Sequence, residues 1–328
     1  MKVFVTGGAG YIGSHMALSL LDQGHDVVIL DNLSKGIKKI VPNKATFIEG
    51  DICNLQLINN IFSQYKFDAV THFAGSTEVE KSTKNPAQFY NNNTFNTLKF
   101  VEILSKTKIR NLIFSSTAAV YKAVNQNLIN EEHMLEPNNP YGSSKLMCEK
   151  IIKDIAKASD LKFFILRYFN VGGADPLMRS GQINENATHL IKICVECALK
   201  KRKYVEVFGN NYETPDGSCV RDFIHVSDLI SGHILALKHL INGGVSDICN
   251  LGYGEGLSVF EIIDKVKSIS GNDFHVKIGK RREGDSAHIV ANCNKIKNKY
   301  NWKPTHNNIN KIIKDAFKWE KKLDNIVK

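Results

Sequence analysis

Short apolar runs alternate with amphipathic stretches along the first half of the chain. KVFVT, DVVIL, ATFIEG, AVTHFAG, NLIFSST and FFILRYFN are rich in β-branched and aromatic residues. Runs of this kind predict strands buried on both faces. Between them, apolar positions recur at helical spacing over Ile12–Gln23, Thr94–Lys106 and Tyr141–Lys157. From residue 2 to about 170 this alternation predicts an α/β fold, a Rossmann-type doubly wound parallel sheet with helices on both faces. After Asn170 the texture changes to VGGADP, a helix, a strand near Tyr204–Phe208 and the turn-rich GNNYETPDGS, which predicts a smaller mixed α/β lobe. The expected division is therefore 1–170 and, mainly, 171–328. Asp222–Leu240 reads as an amphipathic helix that returns the chain to the first lobe over about 222–245.

Within that frame the first strand runs into a glycine turn and a helix. Gly8, Gly10 and Gly13 satisfy G-x-G-x-x-G, and Gly7, Gly10 and Gly13 satisfy the related G-x-x-G-x-x-G. Glycines there let backbone N–H groups approach a pyrophosphate at a helix N-terminus. A glycine turn alone is as consistent with helix capping. The next strand, however, ends in Asp31, at the offset of an acid that binds both ribose hydroxyls and repels a 2′-phosphate. NAD is thus favoured over NADP, although Lys35, Lys38 and Lys39 follow closely. Further on, Tyr141 and Lys145 stand four apart on one helical face. Tyrosine is a poor base at its ordinary pKa of about 10, and a lysine cation beside it stabilises the phenolate.

Composition narrows the classes. The 328 residues exceed what one core usually serves. The excess of 43 Lys+Arg over 33 Asp+Glu gives +10, which raises the question of nucleic acid. The lysines are dispersed, without a basic run interleaved with aromatics, so no nucleic-acid partner is expected. No apolar run is long enough to cross a bilayer, and no signal peptide precedes the glycine turn, so a cytoplasmic protein without a membrane partner is expected. The seven cysteines, an odd number, suit free thiols in a reducing compartment. Cys194 and Cys197 form a lone C-x-x-C on a helical pattern, read as core cysteines, and no metal site is expected.

TGGAGYIGSH, Asp31-Asn-Leu, Gly50-Asp51, His72-Phe73-Ala74-Gly75, FSSTAAVY, PYGSSKLMCE, LRYFNV, DGSCVRDFIHVSDL and RREGD occur in order. Together they resemble the UDP-glucose 4-epimerase family, an extended branch of the short-chain dehydrogenase/reductases, over nearly the whole chain. The resemblance implies an isomerase with tightly bound NAD that oxidises the sugar at C4, turns the 4-keto intermediate and re-reduces it. Tyr141, Lys145 and Thr117 would be catalytic. Gly7, Gly10, Tyr11, Ile12, Gly13, Asp31, Asn32, Asp51, Ile52, Phe73, Ala74, Gly75, Asn92, Tyr141, Lys145 and Phe169 would bind NAD. The UDP-sugar would fall to Thr117, Asn170, His189, Leu190, Phe208, Arg221, Arg282, Asp285 and Ile289, with the two arginines on its phosphates.

Three positions depart from the family's usual pattern. Thr77 stands where many relatives carry lysine, Thr117 replaces serine but keeps the hydroxyl, and Lys122 replaces a glycine. If that glycine is left-handed in relatives, Lys122 would be strained. A nucleotide-sugar 4,6-dehydratase would need an Asp-Glu pair after the active-site hydroxyl, where this chain has Ala118-Ala119. A non-catalytic dinucleotide-binding regulator would commonly lack the tyrosine or lysine, and both are present. Ile289, between a tyrosine that excludes an acetamido group and a small residue that admits it, leaves UDP-N-acetylglucosamine as an alternative or additional substrate. The resemblance also implies a homodimer through helices matching Thr94–Lys106 and Tyr141–Lys157.

Overall fold

The computed structural model describes residues 1–122, 128–184, 187–282 and 285–327. Glu283 and Gly284, the middle of RREGD, lie outside the described residues. Packing divides the chain into two units. Met1–Lys122, Met134–Arg167 and Ile230–Cys249 form the first, and Ala123–His133, Tyr168–Leu229 and Asn250–Lys328 form the second. The stretch read as one helix from Asp222 to Leu240 is instead a strand, Val220–His225, followed by a helix, Val226–Ile241. Apolar residues at Phe223 and Ile224 fit either period in so short a run. What decides is pairing, because this strand has neighbours on both sides in the second unit.

The first unit is built on a sheet of seven strands. They are β1 (Lys2–Thr6), β2 (Asp26–Asp31), β3 (Thr46–Glu49), β4 (Ala69–His72), β5 (Asn111–Thr117), β6 (Lys162–Tyr168) and a seventh, Asp247–Leu251. Their order is Asp247–Leu251, β6, β5, β4, β1, β2, β3. β1 lies parallel to both β2 and β4, β2 to β3, and β4 to β5. The order reverses between β1 and β4, and in open α/β sheets ligands bind outside the carboxyl ends of the strands at such a point.

Apolar runs are continuous here because both faces of the sheet are covered. Phe4, Val28, Leu30, Val70, Leu112, Phe114 and Ile165 pack with Ile58, Ile61, Phe100, Leu104 and Ile152 of the surrounding helices. Burying each such side chain stabilises by about 1.5–3 kcal/mol. One polar tie crosses this core: His72 Nδ1 lies 2.6 Å from Thr6 Oγ1, and its Nε2 lies 3.1 Å from Thr97 Oγ1. Burial lowers the His72 pKa to about 3, so the ring is neutral and fastens β1 to β4.

In the second unit Val220–His225 pairs antiparallel with Gly256–Ser258 and parallel with both His288–Ile289 and Asn170–Gly172. Tyr204–Phe208 and His275–Gly279 form a separate parallel pair. Leu190–Ala198 carries Cys194 and Cys197 as buried residues, in keeping with the core reading.

Candidate active site

The glycine turn joins β1 to the helix Tyr11–Asp22, whose N-cap is Gly10 and which has no side-chain cap. A Cβ on Gly13 would stand 2.2 Å from the Gly7 carbonyl oxygen, so the helix packs against the turn only because that position is bare. Above the turn opens a pocket of about 820 Å³ lined by Gly7, Gly10, Asp31, Asn32, Asp51, Ile52, Phe73, Ala74, Gly75 and Asn92. Ten of the expected cofactor residues thus converge. Tyr11, Ile12 and Gly13 form the first turn of the helix, and the Tyr11 phenol is buried, which pushes its pKa up.

Two carboxylates stand in this pocket. Asp31 ends β2, and its oxygens accept the N–H of Ala9 at 2.9 Å and of Leu33 at 2.8 Å. Burial raises its pKa while those two bonds oppose the rise. Asp51 accepts the Cys53 N–H at 2.9 Å and Asn32 Nδ2 at 2.6 Å. Burial raises Asp51 too, but its hydrogen bonds prevail and hold it below the usual carboxylate range. A backbone floor with acids beside it fits a dinucleotide, the glycines facing a pyrophosphate and Asp31 a ribose diol.

Tyr141 lies in the first turn of the helix Pro140–Lys157, capped by Asn139 Oδ1 on the Gly142 N–H at 2.9 Å. Gly142 lets this end approach the turn after β5, since a Cβ there would meet the Ala119 carbonyl at 2.2 Å. That approach brings the Thr117 hydroxyl beside the Tyr141 phenol, where it favours the ionised form. One helical turn on, Lys145 donates to the Ser115 carbonyl at 3.0 Å and stands 4.8 Å from the Phe114 ring centroid. Burial pushes Tyr141 up to about 12, partly offset by Thr117, and lowers Lys145. Gly75 links this trio to the pocket, for a Cβ on it would lie 3.7 Å from Lys145 Nζ.

The remaining expected residues lie in the second unit. Arg221 and Ile289 face each other as neighbours in paired strands, and Arg221 Nη2 lies 3.5 Å from Asp285 Oδ1. Arg282 stacks over Phe208 at 3.5 Å. Asn170 pairs with Phe223, two positions along the strand from Arg221. His189 is the N-cap residue before Leu190 but its side chain makes no cap bond to that helix, and its Nδ1 lies 2.6 Å from Gln182 Nε2. Phe169 is buried in this unit.

Some contributors were not singled out in the sequence. Asn93 accepts the Ser76 N–H at 2.7 Å and donates to the Ser76 carbonyl and to Ser144 Oγ, each at 3.0 Å. Ser144 precedes Lys145, so Asn93 ties the pocket wall to the catalytic helix. The expected helix Thr94–Lys106 is α-helical over Asn96–Ser105 and preceded by a π-helical turn, Tyr90–Phe95. Such turns recur at functional sites, and the signal in the sequence was the asparagine run itself. Beneath the trio lies a buried pair: Glu149 takes Arg167 Nε at 2.9 Å and Nη2 at 2.6 Å, and accepts Ser116 Oγ at 2.5 Å. Among the described residues the non-glycine ones with positive φ are Leu33, Met178, Lys200 and Asn301, and Lys122 is not one of them, so the glycine-to-lysine departure carries no left-handed strain. Thr77 is exposed, while Lys35 and Lys81 line the pocket.

Comparison with known proteins agrees with this geometry. Residues 3–252 match the NAD dependent epimerase/dehydratase family. A UDP-glucose 4-epimerase of Azospirillum brasilense is 43% identical over 99% of this chain and 94% of its own length. The structure of UDP-glucose 4-epimerase from Brucella ovis in complex with NAD is 38% identical, with a TM-score of 0.93 over 97% of each chain. The UDP-Glc/GlcNAc 4-epimerase of Campylobacter jejuni is 43% identical, with a TM-score of 0.85 over 98% of this chain and 99% of its own.

Proposed function

The chain belongs to the NAD dependent epimerase/dehydratase family, and from that premise we propose that it interconverts UDP-glucose and UDP-galactose. The observation that carries this reading is the buried Tyr141 phenol beside the Thr117 hydroxyl, with Lys145 one turn away and alanines at 118 and 119. Bound NAD supplies a hydride acceptor and donor at the sugar C4. Tyr141 takes the proton of the 4-hydroxyl and later returns it, and Thr117 hydrogen-bonds the same oxygen. Lys145 holds the nicotinamide ribose, and its charge favours the phenolate. Since each step is reversed on the other face of the sugar, net redox is zero. Phe169 is assigned to the nicotinamide, and Asn170, His189, Leu190, Phe208, Arg221, Arg282 and Asp285 to the uridine diphosphate. The dinucleotide is regenerated each cycle, so purified protein should carry it. Denaturation followed by chromatography of the supernatant is expected to release NAD or NADH. Neither nucleotide, together with no activity on adding NAD, would sink the reading.

A second substrate pair is favoured by Ile289, a half-buried aliphatic residue beside Arg221, and by the likeness to an enzyme named for both sugars. UDP-N-acetylglucosamine and its C4 epimer are expected to turn over as well. Ile289→Tyr should suppress that activity selectively, by roughly tenfold or more, as overpacking of about 1–3 kcal/mol implies. Equal loss on both sugar pairs would remove Ile289 as the size filter.

We assign the protein to the cytoplasm and to a homodimer. Supporting the first, the seven cysteines are free, and among the described residues no helix is long and apolar enough to cross a membrane. Supporting the second, Phe95 and Met147, one on each of the two stretches expected to pair, are 53% and 44% exposed. Light scattering at micromolar concentration should give twice the chain mass, and a monomer would defeat the assignment.

A further inference from the structure

Asp31 favours a free ribose 2′-hydroxyl, yet Lys35 lies four residues beyond it and would suit a 2′-phosphate. The loop between them folds back over the glycine turn. Ile37 N donates to the Ala9 carbonyl at 3.2 Å while Ala9 N donates to Asp31, and a Cβ on Gly36 would lie 2.7 Å from that same carbonyl. Lys35 is thereby brought to the corner of the pocket that holds Asp31. There its Nζ lies 3.3 Å from Glu78 Oε1, and Lys81 Nζ lies 2.6 Å from the same oxygen. All four residues line the pocket. The Glu78 side chain is 10% exposed, against 54% and 52% for the two lysines, so the carboxylate sits in the pocket wall and the lysines reach it from the solvent side. Burial favours the neutral acid, but both lysines outweigh it and keep Glu78 ionised.

An exposed lysine–glutamate pair usually stabilises a fold very little. This one differs in joining two loops, 43 positions apart, through a buried carboxylate in the pocket wall. We propose that Glu78 is a second determinant of dinucleotide choice: it engages Lys35 and Lys81 so that neither serves a 2′-phosphate, and with Asp31 it makes the pocket select NAD over NADP. A 2′-phosphate needs charge-assisted donors to replace its hydration, and Glu78 engages both lysines that line this pocket. The inference rests on the reading of this pocket as the NAD site.

Nucleotide composition of the purified holoenzyme tests it. Wild-type protein and Glu78→Gln are denatured and the released NADP(H) and NAD(H) are quantified. The NADP(H):NAD(H) ratio should rise by about tenfold or more in Glu78→Gln, on the scale of one charge-assisted hydrogen bond. It should fall back in Glu78→Gln/Lys35→Met/Lys81→Met. Glu78→Asp, which keeps the charge but shortens its reach, should give an intermediate ratio and serves if the glutamine variant does not fold. An unchanged ratio in folded Glu78 variants overturns the proposal. So does a rise that persists without the lysines, or a parallel gain in both nucleotides, which would make the lysines pyrophosphate contacts. Wild-type protein that carries no dinucleotide and gains no activity on adding NAD would instead overturn the NAD reading itself.

Discussion

Replacing Tyr141 with phenylalanine should lower turnover by on the order of 10²-fold or more, the usual scale for a general base, while NAD stays bound. Burial leaves less of this phenol ionised near neutrality than tyrosine in water, its pKa being pushed up to about 12. The site therefore works only if cations lower that value when the reaction occurs. Lys145 is one, held at the strand end by the Ser115 carbonyl and the Phe114 ring, and the oxidised nicotinamide is the other. The base acts deprotonated, so wild-type turnover should rise with pH until the phenol is fully titrated. Tyr141→Phe should lose that limb along with its rate. Near-normal turnover in the variant would move the base elsewhere, with Lys145 or a water relayed by Thr117 next in line.

Legibility in the sequence tracked the range of the interaction. The glycine turn, Asp31 at the end of β2 and the Tyr141/Lys145 spacing are local patterns, set by backbone sterics and the helical period, and the structure has each geometry. The pocket also gathers Asp51, Phe73, Ala74, Gly75 and Asn92, which had been assigned through family resemblance. Non-local pairing was invisible. Val220–His225 has no helix-excluding residue, and its strand identity comes from partners at Asn170, Gly256 and His288. Asn93 looked like one of several asparagines, because its role depends on Ser76 and Ser144, which meet it only in the fold. Glu78 and Lys35 are 43 positions apart, and no periodicity connects them.

The same limit hid Glu149 and Arg167, and their separation should have the largest effect on stability. Glu149 lies on the catalytic helix and Arg167 on β6; both are at most 2% exposed. Arg167 also donates to the Tyr121 hydroxyl at 3.0 Å. Burying such a pair is costly, so its net worth against apolar residues is small, whereas removing one partner strands a buried charge and costs about 3–5 kcal/mol. Arg167→Met is accordingly expected to lower the melting temperature by about 6–20 °C. Glu149→Leu/Arg167→Met, which removes both charges, should recover most of that loss. Ser116 Oγ is bound to Glu149 between Ser115, which holds Lys145, and Thr117, whose hydroxyl lies beside Tyr141. A stranded Glu149 carboxylate shifts this strand end, so turnover should fall in Arg167→Met even at temperatures where the variant is folded. Thermal melts and rates measured on the three proteins separate the cases. A double variant no more stable than Arg167→Met would mean that shape, not charge pairing, is what the buried guanidinium provides.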